Sequence, residues 1–122
     1  MGGGGRDLVT SHRFPYLEVE FSVRGTRSRD FAFLDTGFDG FLIVPFAISA
    51  MLGTPDLVST WELADGSLTA GADYLGQIEI VSISNPINGQ ITCLADEWVL
   101  GLSVMKGFEV IFDHGSKVEI RQ

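Results

Sequence analysis

The stretch Tyr16-Leu-Glu-Val-Glu-Phe-Ser-Val-Arg24, with Gly25-Thr26-Arg27-Ser28 and Arg29-Asp-Phe-Ala-Phe-Leu34 behind it, decides the class of fold. Leu17, Val19, Phe21 and Val23 fall on one side of an extended chain and Glu18, Glu20, Ser22 and Arg24 on the other, which is the period of a half-buried strand. Residues 25–28 supply a turn, so Arg29 to Leu34 reads as the returning strand of a hairpin. Asp35-Thr36-Gly37 ends that strand abruptly. Beyond the glycines at 37 and 40, Phe41-Leu-Ile-Val44 is a short apolar run, as in a strand buried on both faces.

The same grammar continues to the C-terminus. Pro45 opens a short helix through Leu52, which Gly53 stops. Val58 to Leu63 and the long run from Leu68 toward Ile83 form a hairpin around Ala64-Asp65-Gly66-Ser67, and the glycines at 71 and 76 predict a bend or bulge. Asn85-Pro86-Ile-Asn88-Gly89 reads as a turn and Gln90 to Leu94 as a strand. Val99-Leu100-Gly101 leads into a helical stretch through Met105. Phe108 to Phe112 and Lys117 to Arg121 flank Asp113-His-Gly-Ser116 as a last hairpin. Many short strands, frequent turns and two short helices predict a closed or nearly closed all-β barrel.

Length and charge narrow the possibilities. The 122 residues suffice for one domain, and 45% hydrophobic content is that of a globular chain with a real core. Residues 1–13, opening with MGGGG, read as a flexible glycine-rich N-terminal tail before a single domain at 14–122. Eight Lys and Arg against sixteen Asp and Glu give a net charge of −8 with no basic run, so nucleic acid is not an expected partner. No apolar stretch has the length of a membrane span and no signal peptide is legible. A lone Cys93 fits a reducing compartment, and the expected location is cytoplasmic. One Cys and two His are too few for a zinc site, so no metal and no cofactor is expected.

Chemistry concentrates at Asp35. An acidic residue after two large apolar ones at a strand end is expected in a fixed, poorly solvated place, where a carboxylate is costly to ionise unless its charge is shared. Thr36 offers a hydroxyl beside it, and Gly37 lets the backbone turn without a Cβ. A turn alone would also use these three residues.

The wider pattern resembles the retropepsin-type aspartic proteases. Phe33-Leu34-Asp35-Thr36-Gly37 resembles their catalytic loop and Phe41-Leu-Ile-Val-Pro45 the strand after it. The hairpin Trp61-Glu-Leu-Ala-Asp65-Gly66-Ser67 lies where the family carries its flap. Val99-Leu100-Gly101-Leu102 resembles the element before the family's short helix, and Phe112-Asp113 with Val118-Glu-Ile120 its closing strands. The matches come in the family's order across Phe14 to Arg121. The resemblance implies a closed acid-protease barrel with a flap hairpin, and an aspartic endopeptidase acting on a peptide or protein substrate. Asp35 would be catalytic, Thr36 and Gly37 would support the loop, and Ala64, Asp65, Gly66 and Ser67 would bind substrate as the flap. Because the chain has one Asp-Thr-Gly, the second acid is implied to be Asp35 of a partner in a homodimer. Phe38 stands where the family has Ala or Ser, and this flap is poorer in glycine than retroviral ones.

Other residues carry plainer readings. Asp113-His114-Gly115 repeats the Asp-x-Gly pattern but brackets a hairpin, so Asp113 and His114 read as turn residues. Asp96 and Glu97 read as solvated turn residues, and Asp39 as a cap of the loop or a residue of the cleft edge. Cys93 reads as a buried small hydrophobe, and Trp61 and Phe46 as fillers of core or interface space. An alternative for the whole chain is a catalytically weak or inactive dimeric peptide-binding module, since a fold does not establish an activity.

Overall fold

The computed structural model describes residues 8–83 and 85–121. Strand β2 (Tyr16–Val23) buries Leu17, Val19, Phe21 and Val23 to 1% exposure or less, as its alternation predicts. Each such side chain contributes about 1.5–3 kcal/mol by leaving water. A turn at Arg24-Gly25 returns the chain as β3 (Thr26–Leu34), in register from Val23↔Thr26 to Tyr16↔Phe33.

Strands β4 (Leu42–Val44), β5 (Leu57–Glu62), β6 (Leu68–Ile80), β7 (Ile87–Cys93) and β8 (Val99–Leu100) complete a sheet of order β2-β3-β8-β4-β7-β6-β5. Strand β6 also pairs with β2, from Val19↔Ile80 to Ser22↔Gln77, so all members of the sheet except β5 close into a ring. Between β4 and β5 a 3-10 turn at Phe46–Ile48 runs into α1 (Ser49–Leu52), which ends at Gly53. Helix α2 (Leu102–Met105) follows β8 and buries Val104 and Met105. The chain closes with β9 (Glu109–Asp113) and β10 (Lys117–Arg121). The closed all-β barrel expected from the sequence is the observed fold.

Several local expectations are corrected. Within the supposed tail at 1–13, residues 1–7 lie outside the described residues, but Leu8–Ser11 forms strand β1, paired with β10 from Leu8↔Arg121 to Ser11↔Val118. It is held because Val9 packs against the core and the Ser11 hydroxyl donates to the carbonyl of Tyr16 at 2.6 Å. Strand β1 is therefore part of the sheet structure. Strand β4 buries Leu42 and Val44 fully and Ile43 only half, so it is covered on one face more than the other.

The Asn88-Gly89 pair sits inside β7, opposite Gln77 and Gly76, because β6 supplies its backbone partners. Strand β6 keeps unbroken register through Gly76. The glycine serves close approach there: a Cβ would come 2.3 Å from the Ser22 carbonyl oxygen.

The core gathers the inward positions of every ring strand, among them Leu34, Leu42, Tyr74, Ile78, Ile91 and Leu100. Within it the Tyr74 hydroxyl is satisfied, donating to the Gly53 carbonyl at 2.6 Å. Among the described residues no helix is long and apolar enough to cross a membrane.

Candidate active site

Strand β8 builds the Asp35 loop. It lies between β3, which it meets in parallel at Phe33↔Val99 and Leu34↔Leu100, and β4, which it meets antiparallel at Leu42↔Leu100. The Asp35 N–H donates to the Leu100 carbonyl at 3.0 Å and the Phe33 N–H to that of Trp98 at 2.9 Å. Residues after β8 then grip the far side of the loop. The N–H groups of Gly101, Leu102 and Ser103 donate to the carbonyls of Phe41, Phe38 and Gly40, and the Ser103 hydroxyl donates to the Asp39 carbonyl at 2.6 Å.

Such close contact requires glycine at 101. A Cβ there would lie 2.2 Å from the Gly40 carbonyl oxygen and 2.6 Å from the Phe38 ring.

Within the loop, Asp35 Oδ1 accepts the Gly37 N–H at 2.8 Å and the Asp35 carbonyl accepts the Phe38 N–H at 3.2 Å. Asp35 is half-buried, while Thr36 and Gly37 are exposed. The sequence predicts a more poorly solvated acid. Alternation explains the difference: Leu34 points inward, so Phe33 and Asp35 lie on the outer face of the strand end.

The second element is the β5–β6 hairpin, paired from Leu57↔Asp73 to Glu62↔Leu68. Its tip Ala64-Asp65-Gly66-Ser67 is exposed. Asp65 Oδ1 accepts both the hydroxyl and the N–H of Ser67, at 2.6 and 2.9 Å, and these bonds hold the Asp65 carboxyl below the usual carboxylate range. Gly66 takes a φ of +85°, as the turn demands.

Hairpin and loop meet through aromatic rings. Trp61 of β5 and Phe38 have centroids 6.0 Å apart, and Trp61 Nε1 donates to Ser59 at 2.7 Å. Beside them is a cavity of about 180 Å³ lined by Phe38, Gly40, Phe41, Trp61, Gln90 and Thr92. The structure thus places Phe38 and Trp61 at the junction of loop and hairpin. Gln90 and Thr92 were not singled out in the sequence, although polar residues recurring at every second position of an apolar strand were their signal.

The remaining candidates stand apart. The Asp113 carboxylate is engaged by His114 and by Lys117 at 3.6 Å, which lower its pKa, and it belongs to the separate β1-β10-β9 sheet. Asp39, Asp96 and Glu97 are exposed, and Phe46 lies 50% exposed on the surface instead of filling the core. Cys93 is fully buried as expected, and burial first, then the charge of Asp73, push its thiol up to about 11. Among the described residues no group of three His, Cys, Asp or Glu side chains could hold a metal ion.

Comparison with known proteins supports the fold. No protein-family model matches the sequence, and no curated protein matches it. Among solved structures, a retropepsin-like aspartic protease from Rickettsia conorii superimposes with a TM-score of 0.61 at 14% identity, covering 96% of this chain and 90% of that one. The chain has the fold of a retropepsin-like aspartic protease.

Proposed function

We propose that this chain is one half of a homodimeric aspartic endopeptidase. The observation that carries the reading is the Asp35 loop itself: a half-buried carboxylate at a strand end, fixed through its N–H bond to Leu100 and through the grip of residues 101–103, in a loop whose Phe38 meets Trp61 of the β5–β6 hairpin. One chain offers one such acid. A two-fold axis beside the exposed Thr36 would bring a second Asp35 opposite the first, because an isologous contact places the same residue on both sides.

The chemistry then follows from charge. Two carboxylates about 3 Å apart cannot both stay ionised, so they hold one proton between them. The ionised member takes a proton from a water molecule as it attacks the peptide carbonyl, and the protonated member donates to the carbonyl oxygen. The Gly37 N–H keeps one carboxylate oxygen oriented, and the Thr36 hydroxyls would bond across the axis. The hairpin tips at Ala64 to Ser67 close over an extended peptide and exclude bulk water. A cytoplasmic setting belongs to this reading, supported by Cys93 as a buried free thiol.

The test is mass spectrometry of a diverse peptide mixture incubated with the full chain at several pH values, with Asp35→Asn as control. Cleavage by the parent that drops by about 10³-fold or more in the variant is the expected result. Equal cleavage by both, or none by the parent at any pH, overturns the proposal.

A further inference from the structure

The β5–β6 hairpin is anchored by a group that none of the preceding chemistry uses. Arg24 sits at the β2–β3 turn with φ +50°, followed by Gly25 at +84°, the pattern of a type I′ turn that Asn, Asp or Gly adopts more readily. Its side chain compensates for that placement. One guanidinium nitrogen donates to the carbonyls of Leu52 at 3.2 Å and Thr54 at 2.7 Å, and the other pairs with Asp56 Oδ1 at 2.8 Å. The guanidinium carbon also lies 5.5 Å from the centre of the Tyr74 ring.

Asp56 is the last residue before β5, and its other carboxylate oxygen accepts the N–H of Leu75 on β6 at 2.9 Å. Its own N–H donates to the Asp73 carbonyl at 2.8 Å. One carboxylate therefore ties together both strands of the hairpin just below their last pair, Leu57↔Asp73, and one guanidinium ties that root to the turn of the β2–β3 hairpin, whose second strand runs on into Asp35.

We propose that Arg24, acting through Asp56, is a positioning residue that sets how the 57–73 hairpin stands over the Asp35 loop. This rests on reading that hairpin as the cover of the substrate. The ion pair is partly exposed, 46% and 38% at the two side chains, so it works as a weak, releasable latch and leaves the barrel's integrity to the core. Charge and planar fork both matter, because a guanidinium reaches two carbonyls and a carboxylate at once.

The experiment compares the parent with Arg24→Met, which keeps the aliphatic stem, and Asp56→Asn, which keeps an oxygen for Leu75 while losing the charge; Arg24→Lys tests rescue. Amide hydrogen exchange of the full chain should become about threefold faster across 57–75 in Arg24→Met and Asp56→Asn, with 16–23 and 109–121 unchanged and Arg24→Lys intermediate. With a cleaved peptide as substrate, KM should rise several-fold while kcat stays within about twofold, since the pose competent to close becomes rarer in the free protein while the closed complex is unaltered. Unchanged exchange at 57–75, exchange that rises equally everywhere, or faster exchange with no change in KM overturns the proposal. A parent that cleaves nothing overturns the peptidase reading alone, and exchange then decides the latch by itself.

Discussion

The amide of Asp35 donates to the carbonyl of Leu100 at 3.0 Å, so a strand arriving from 65 residues further along the chain holds the candidate catalytic acid in place. The position of the acid is thus a product of barrel closure. A loop held only by its neighbours in sequence would be free to sample other orientations.

Gly101 is the tightest point of that arrangement. Gly101→Ala drives a methyl group into the Gly40 carbonyl, 2.2 Å away, and should destabilise the domain by about 2–3 kcal/mol. Thermal unfolding should shift down by roughly 10 °C. Gly107→Ala is the control, since its Cβ meets only the Val104 carbonyl at 3.6 Å, and it should stay within about 0.5 kcal/mol of the parent.

A dyad shared across two chains predicts poisoning by an inert partner. After subunit exchange with an equal amount of Asp35→Asn, activity per parent chain should fall to about half, and at ninefold excess to about one tenth. Activity indifferent to the added variant would mean that each chain works alone, and sedimentation would then show an active monomer.

The buried pair beneath the hairpin root makes a stability prediction. Asp73 and Thr92 are each 3% exposed, and the Thr92 hydroxyl donates to Asp73 Oδ1 at 2.7 Å. Thr92→Val keeps the volume and strips the donor from a buried carboxylate, which should cost about 2 kcal/mol in urea unfolding with an unchanged slope. An unchanged midpoint would show that Asp73 has another route to solvation.

Acid should loosen the hairpin root. The Leu75 N–H, foremost, and the Arg24 guanidinium lower the Asp56 pKa, so its folded value lies below that of a free aspartate, about 3.9. The contribution is fully present above that free value and is lost as pH falls through the depressed folded one. Hydrogen exchange across 57–75, corrected for intrinsic rates, should rise in that acidic window for the parent and show no such step in Asp56→Asn. A step of equal size in both would assign it to another group.

Much of this was legible in the sequence because its signals are local. Alternation in Tyr16–Val23 survives intact as burial, and Asp65-Gly66 turns the hairpin where its residues say it should. The Asp35 loop could be located through its triplet, but its support could not: a strand as short as Val99–Leu100 has no periodicity, and only the resemblance pointed to it. Asn88-Gly89 misled because cross-strand pairing with β6 outweighs a local turn preference. Arg24 gave no sign of its role, since its partners Leu52 and Asp56 lie 28 and 32 residues away.

Ring closure has one more consequence, for association. A strand paired on both sides within the ring has little unpaired backbone to offer, so another chain extends a sheet of this molecule most readily along an edge that is open over its whole length. Among the described residues such edges run along β1 and β9 on the small sheet and β5 on the large one, while β3, paired with β8 only at Phe33 and Leu34, is open over Thr26 to Ala32. Both small-sheet borders lie away from the Asp35 loop in the sheet order, whereas β5 carries Trp61 beside Phe38. An extended guest that adds to β5 by main-chain pairing would be recognised through its backbone, and so with little regard to its sequence, before any side chain is read.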